Sequence, residues 1–356
     1  MYEFSFPTKV IFKERIVEYI GEEIYKFCNE LPSPLVIVTV EEKWNEKFIE
    51  NIKENLQEAG CKRVDIFRGV TDDPGRKCVD EGIKFCKLLN SKGIIAFGGG
   101  SSMDTAKVIA KEAQINFLVA IPTTAGTGGE ISPWAVITNE KKQEKESFMA
   151  KFPDMALLDP YLTESMPSKV TLLTGIDAFS HALESYFSKS AFSLTDALSL
   201  QAIQLIEENL LNAVREGSDL SARSNMLEGS LLAGMAMLHS GLGLVHAIAH
   251  PIGGLYHSNG LAHGYIIAHL LQSVIEFNKS ANLDKYQKVR DSLEIMGGII
   301  DEELFLKLGM SKIKVKENDI PLLAKRSADN INALTNPRSF TLSDIEDVIR
   351  NSFKIV

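Results

Sequence analysis

Four of the chain's seven histidines fall between His246 and Gly264, in the stretch HAIAHPIGGLYHSNGLAHG. His246 and His250 stand four apart among Leu, Val, Ile and Ala, and His257 and His263 follow. Residues four apart on a helix share a face. Imidazoles in so apolar a run are costly to bury without partners, and a metal ion is one such partner. Pro251 removes a backbone donor and is expected to end or kink the helix. About seventy residues earlier, TGIDAFSHALESYFS sets Asp177 and His181 four apart, with Glu184 three further on and able to share their face. The same spacing also describes a helix-terminal charge beside an ordinary core histidine, so the Asp/His pair alone specifies nothing. One carboxylate and three neutral imidazoles would make an N/O site for a first-row divalent ion, with room for water or substrate. Iron(II) and zinc both suit such ligands. No cysteine lies near, which argues against a closed structural zinc site.

Two glycine-rich turns offer a different chemistry. IIAFGGGSSMDTAKVIA places Gly98, Gly99, Gly100 and Ser101 between a strand and a helix expected over residues 103–111. Glycines allow close backbone approach to a ligand, and free N–H groups at a helix start favour an anion such as a diphosphate. The pattern is not GxGxxG, and a plain tight turn with Ser101 or Ser102 as N-cap fits it too. IPTTAGTGGEIS, residues 121–132, also follows a strand and packs three threonines with three glycines. Hydroxyls and bare backbone suit ribose, phosphate or carboxamide groups. Two such turns after neighbouring parallel strands would frame one cleft, which favours nucleotide binding.

The elements that must carry these residues alternate over the first 160 residues. Residues 34–40, 63–70, 93–99 and 116–123 read as strands, and 46–60 and 80–93 as helices. Strand–helix alternation implies an α/β unit built on a parallel sheet. MYEFSFPTKVIFKE has short alternating character and suggests an edge hairpin. The charged stretch around residues 141–151 reads as a solvated loop. Near residues 155–168 the character changes: long amphipathic segments replace the strands, and no clear β-run follows residue 162. The expected division is 1–161 as a nucleotide-binding α/β domain and 162–356 as an all-α domain.

Composition sets outer bounds. With 356 residues, 45% hydrophobic and 24% charged, the chain has ordinary globular composition and length for two domains. A net charge of −9 argues against a nucleic-acid or anionic-membrane surface. Cys28, Cys61, Cys78 and Cys86 form no CxxC, so reduced thiols in a cytoplasmic protein are expected. The N-terminus lacks a basic region followed by an apolar core, and no apolar run reaches the ~18–20 residues of a membrane span.

In order along the chain, GGGSSMDTAK, PTTAGTGGE, LLDP, GIDAFSHALESY and GLGLVHAIAHPIGG…HG resemble the motifs of the iron-containing (group III) alcohol dehydrogenases. That family includes lactaldehyde:propanediol oxidoreductases and the 1,3-propanediol and butanol dehydrogenases. The resemblance covers nearly the whole chain. It implies a Rossmann-like N-terminal domain, an all-α C-terminal domain and an active cleft between them. It implies a metal, iron(II) first and zinc as the alternative, held by Asp177, His181, His246 and His263. It places the coenzyme pyrophosphate at Gly98, Gly99, Gly100 and Ser101, with Asp104 one helical turn on. Thr123, Thr124 and Thr127 would lie near the coenzyme, Asp73 of GVTDDPG near the nicotinamide ribose, and His250 beside the nicotinamide as proton relay. The implied reaction is hydride transfer between NAD(P)(H) and a small primary alcohol or aldehyde, in a homodimer. A dehydroquinate-synthase-like or glycerol-dehydrogenase-like enzyme is the alternative.

Three departures matter. His263 lies seventeen residues after His246, a loop three residues longer than the family's usual one, and His257 falls inside it as a rival ligand. The usual GTGSE is GTGGE, which removes a hydroxyl. Val40 stands where many NAD-preferring members carry an Asp. An apolar side chain there neither bonds the ribose 2′-hydroxyl nor repels a 2′-phosphate, which favours NADP(H) over NAD(H), although Glu41 and Glu42 follow.

Overall fold

The computed structural model describes residues 2–41, 46–257, 260–300 and 302–356, the side chains of 302–304 excepted; Glu42 therefore lies outside the described residues. A six-stranded, wholly parallel sheet runs in the order β1-β8-β5-β4-β2-β3. Its strands are β1 (Lys9–Phe12), β2 (Leu35–Val40), β3 (Val64–Val70), β4 (Gly93–Gly98), β5 (Phe117–Pro122) and β8 (Met155–Leu158). Between β5 and β8 the chain folds an antiparallel hairpin of β6 (Trp134–Asn139) and β7 (Glu144–Met149). Four helices accompany the sheet: α1 (Ile20–Cys28), α2 (Glu46–Glu58), α3 (Arg76–Leu88) and α4 (Gly100–Ala113).

The inner strands β2, β4, β5 and β8 are nearly continuous apolar runs because both faces are covered, whereas the edge strands β1 and β3 are only partly buried. Side chains alternate across the pleat. Leu35, Ile37, Ile95, Phe97, Val119 and Ile121 pack with Ile24, Ile49 and Ile52 of α1 and α2. Their neighbours Val36, Ile94, Ala96 and Leu118 face Val79, Met103 and Ile109 of α3 and α4.

Helices dominate from residue 168 onward. The long ones are α5 (Ser168–Phe187), α6 (Ser193–Arg215), α7 (Leu220–Ser240), α8 (Leu244–Leu255) and α9 (His263–Asn278). Shorter helices follow: α10 (Leu283–Lys288), α11 (Arg290–Ile299), α12 (Glu302–Lys307), α13 (Ile320–Ala328) and α14 (Leu342–Ser352). A single apolar core runs through this half and reaches Ala125, Ala156 and Leu158 of the sheet domain.

Four local expectations need correction. The N-terminus forms no hairpin: β1 alone joins the sheet, parallel to β8. The preceding aromatics leave the sheet, with Tyr2 stacked on Phe192 at 3.9 Å and Phe4 tilted against His239 at 4.3 Å. Residues 144–149 are not a solvated loop but strand β7, paired residue by residue with β6. The helical half does hold one small ladder, in which β9 (Lys314–Val315) pairs with β10 (Lys354–Ile355). Finally, α8 runs through Pro251 to Leu255. Beyond the proline α8 lies on the hairpin so closely that a Cβ on Gly254 would meet Glu144 Cα at 2.8 Å.

The two halves meet through bare backbone. Gly128, in the threonine loop, holds φ +59, and a Cβ built on it would come 2.6 Å from Gly234 Cα of α7. A Cβ on Gly234 would meet Gly128 Cα at 2.9 Å. Gly234→Ala is therefore expected to cost about 1–3 kcal/mol through overpacking and lower the thermal midpoint by several degrees. Gly298→Ala in α11, which meets nothing within 4 Å, should leave the midpoint unchanged or raise it slightly. Thermal unfolding of both variants checks this.

Candidate active site

Three helices bring the chemical residues together. Asp177, His181 and Glu184 lie on one buried face of α5. His246 and His250 lie on the first two turns of α8, and His263 begins α9. Contact between α9 and α5 depends on Gly264, where a Cβ would stand 2.1 Å from the Leu173 carbonyl oxygen.

Asp177 Oδ1 is the centre of the arrangement. It lies 3.4 Å from His246 Nε2, 3.7 Å from His263 Nε2 and 3.9 Å from His181 Nε2. The rings crowd one another: His181 and His246 stack with centroids 4.4 Å apart, and His246 and His263 stand 5.5 Å apart. The other nitrogen of two of these rings is already committed. His181 Nδ1 faces the Gly126 carbonyl oxygen at 3.3 Å, and His246 Nδ1 faces Glu184 Oε2 at 2.6 Å. A carbonyl or carboxylate oxygen only accepts, so each Nδ1 carries the proton and each Nε2 is left for a ligand. Ligands at the usual ~2.0–2.1 Å around a tetrahedral ion stand about 3.4 Å apart. Asp177 and His246 stand at that separation, Asp177, His181 and His246 form one buried cluster with ligand atoms within 4.8 Å of one another, and His263 adjoins it.

The electrostatics fit the same reading. Burial pushes the Asp177 carboxyl up, but His181, His246 and His263 outweigh it and hold it well below the usual carboxylate range. Burial lowers His181 to about 4 and His263 to about 3, with Asp177 opposing in both cases. Burial also works against charge on His246, but its bonds to Asp177 and Glu184 prevail and raise it to about 9. His250 is pushed well below its ordinary value by burial, then by His263 and His246. Its Nδ1 is buried without a hydrogen-bond partner among the described residues.

The glycine turn and the threonine loop are neighbours, at the carboxyl ends of β4 and β5. Gly98 holds φ +140, and the Thr123 N–H donates to the Gly98 carbonyl. A Cβ on Gly99 would come 3.1 Å from Thr124 Oγ1, and one on Gly100 2.8 Å from Thr127 Cγ2. Helix α4 starts at Gly100 behind Gly99 as N-cap, so neither Ser101 nor Ser102 caps it, and its positive end meets no capping side chain. Ser102 Oγ instead accepts from the Val40 N–H at 3.2 Å, which puts the end of β2 beside the turn. Thr123 Oγ1 is buried without a partner among the described residues. Such a cradle of bare backbone, helix start and free hydroxyl fits a diphosphate-bearing coenzyme.

Other anticipated residues are placed differently. Asp104 is hydrogen-bonded within its own domain: its Oδ2 accepts from the Val136 N–H at 2.9 Å and its Oδ1 from Lys107 Nζ at 3.4 Å. It ties α4 to the hairpin. His257 stands apart from Asp177, with Nδ1 3.9 Å from Asp73 Oδ2. Asp73 Oδ1 accepts from Lys145 Nζ at 2.5 Å. Lys145, only 5% exposed, comes from β7 and was hidden in the sequence by the charged run read as a loop. The other residue missed in its role is Glu184. Its spacing from Asp177 and His181 was visible, but its partner His246 lies on another helix.

Residues 7–160 match the family model for iron-containing alcohol dehydrogenase, and residues 171–353 match the model for that family's C-terminal part. The chain is 35% identical to the NAD-dependent methanol dehydrogenase of Bacillus methanolicus over 85% of this chain and 88% of that one. It is 31% identical to the 1,3-propanediol dehydrogenase of Citrobacter freundii over 99% of both. A crystal structure of 1,3-propanediol oxidoreductase superposes with a TM-score of 0.89 at 31% identity, covering 99% of this chain and 100% of that one. This chain belongs to the iron-containing alcohol dehydrogenase family.

Proposed function

We propose that the protein is a metal-dependent alcohol dehydrogenase and aldehyde reductase, moving a hydride between NAD(P)(H) and a small primary alcohol or aldehyde. The observation that carries this reading is the convergence of three imidazole Nε2 atoms on Asp177 Oδ1, beside a glycine cradle. Asp177, His181, His246 and His263 are assigned as ligands of a divalent ion, with iron(II) first and zinc second. Gly98, Gly99, Gly100, Ser101, Thr123, Thr124 and Thr127 are assigned to the coenzyme, with Asp73 and Lys145 towards its nicotinamide end. When bound, the ion polarises the carbonyl oxygen and the reduced nicotinamide supplies the hydride.

The chain's own residues do the rest. Glycines at the turn let backbone approach the diphosphate, and α4 directs its positive end there. Reduction of an aldehyde consumes one proton as the alkoxide becomes the alcohol. His250, neutral and with a free Nδ1, is assigned to exchange that proton with the substrate oxygen, directly or through a water. Val40 beside the glycine turn supports acceptance of NADP(H). A homodimer is part of the proposal: β1 lies at the sheet edge, and Phe12, Tyr19, Tyr25 and Phe27 are exposed near it.

The central test is metal analysis of anaerobically purified protein, followed by aldehyde reduction with NADH and NADPH in parallel. Chelation should abolish turnover, and iron(II) should restore it; full turnover without metal would reject the reading. Val40→Asp should lower kcat/KM for NADPH by at least about ten-fold and spare NADH, as expected for an added charge facing a 2′-phosphate. His250→Ala should lower kcat by about 10²-fold and shift the pH profile, the usual scale for a lost acid–base group. An unaltered profile would remove that role. Metal ligation requires a neutral His246, whereas its bonds to Asp177 and Glu184 raise it to about 9. Metal binding at about pH 7.5 should therefore release about one proton, read by calorimetry in buffers of different ionisation enthalpy.

A further inference from the structure

Helix α8 begins without a cap of its own: its N-cap is Gly243, which has no side chain to offer. Two side chains from elsewhere fill the place. Asn336 Oδ1 accepts from the Leu244 N–H at 3.2 Å, and Glu184 accepts from the Val245 N–H at 2.7 Å and the His246 N–H at 3.4 Å. The same Glu184 carboxylate takes the His246 ring at 2.6 Å. Gly243 is what lets it do so, since a Cβ there would come 2.8 Å from Glu184 Oε1 and 3.0 Å from Asn336 Oδ1. Asn336 is itself fixed by a reciprocal amide pair with Asn278, each bond 2.9 Å. The backbone N–H and the ring Nδ1 of His246 thus both end on one buried carboxylate.

We propose that Glu184 is a positioning residue for the metal site. It is no ligand. It holds the proton on His246 Nδ1 and turns Nε2 towards Asp177, so that the site is aligned before an ion arrives. The inference rests on the metal-site reading above. A second-sphere carboxylate on a ligand imidazole fixes its tautomer and raises its basicity, and losing one typically costs 10–100-fold in metal affinity. Glu184→Gln separates this role from the cap. A glutamine oxygen still accepts from the Val245 N–H, but its NH₂ then faces His246 Nδ1. The ring must answer as an acceptor, which moves the proton to Nε2, the atom that faces Asp177.

The test is Zn²⁺ titration of metal-free protein against a chromogenic chelator, for the unmodified chain, Glu184→Gln, Glu184→Asp and Asp177→Ala. Glu184→Gln is expected to weaken Zn²⁺ binding by about 10–100-fold, with Glu184→Asp recovering part of the loss. Equal affinity in Glu184→Gln and the unmodified protein overturns the role of Glu184 and leaves the site standing. No Zn²⁺ binding by the unmodified protein, or undiminished binding by Asp177→Ala, overturns the site reading itself. Should Glu184→Gln fail to fold, the unmodified protein decides. In a ¹⁵N-histidine-labelled, Zn²⁺-loaded sample, the His246 Nδ1 proton should be present, downfield and slow to exchange. A rapidly exchanging proton, or none on Nδ1, rejects the proposal.

Discussion

The structure depends on one carboxylate kept where carboxylates are costly. Asp177 lies in the middle of α5, whose neighbours Ile176, Ala178, Phe179 and Ala182 are fully buried. An ion taken out of water there costs several kcal/mol unless partners compensate. The compensation comes from three imidazoles on three different helices, and each needs its own scaffold to arrive. Much of the helical half can be read as the means of meeting that demand. Helix α5 supplies one ring in cis, α8 is capped from outside so that its first turn carries another, and α9 starts on the third.

Close approach is the second constraint, and the chain meets it by omission. Gly264 lets α9 touch the backbone of α5, Gly243 lets Glu184 reach the start of α8, and Gly128 and Gly234 let the two domains meet backbone to backbone. In each place a single methyl group would separate elements whose residues must sit a few ångströms apart. The buried Lys107, 1% exposed, adds a polar tie of the same kind, with Nζ donating to the Trp134 carbonyl at 2.9 Å and reaching Asp104. It fastens the helix of the glycine turn to the hairpin that carries Lys145.

Much of this was legible before any coordinates. Strands β2, β4 and β5 are apolar runs bounded by turn residues, and their two-sided burial is what such runs signify. The Asp177/His181 spacing and the histidine stretch marked the site because local periodicity fixes which residues share a helix face. What escaped was whatever depends on distant pairing. Strand β8 is four residues long and lies where the sequence marks only a change of character; its place as a strand comes from β1 and β5 on either side. Strand β7 alternates charged residues over a half-exposed hairpin, so its pattern resembles a solvated turn, and Lys145 went unnoticed with it. Glu184 was seen as a third residue on the α5 face, but its two tasks lie sixty residues away on α8. Asp104 shows another case: its motif position gave no sign that its oxygens also accept from the Val136 N–H and Lys107, the first a tie that joins α4 to a hairpin about thirty residues on.

The hydrogen bond from His181 to the Gly126 carbonyl crosses between the domains. Its acceptor belongs to the loop that also carries Thr123, Thr124 and Thr127, while its donor faces Asp177 with the other ring nitrogen. A displacement of that loop is therefore also a displacement of His181. Thermodynamic linkage makes such a connection reciprocal: whatever factor a nucleotide imposes on the ion's affinity, the ion returns to the nucleotide.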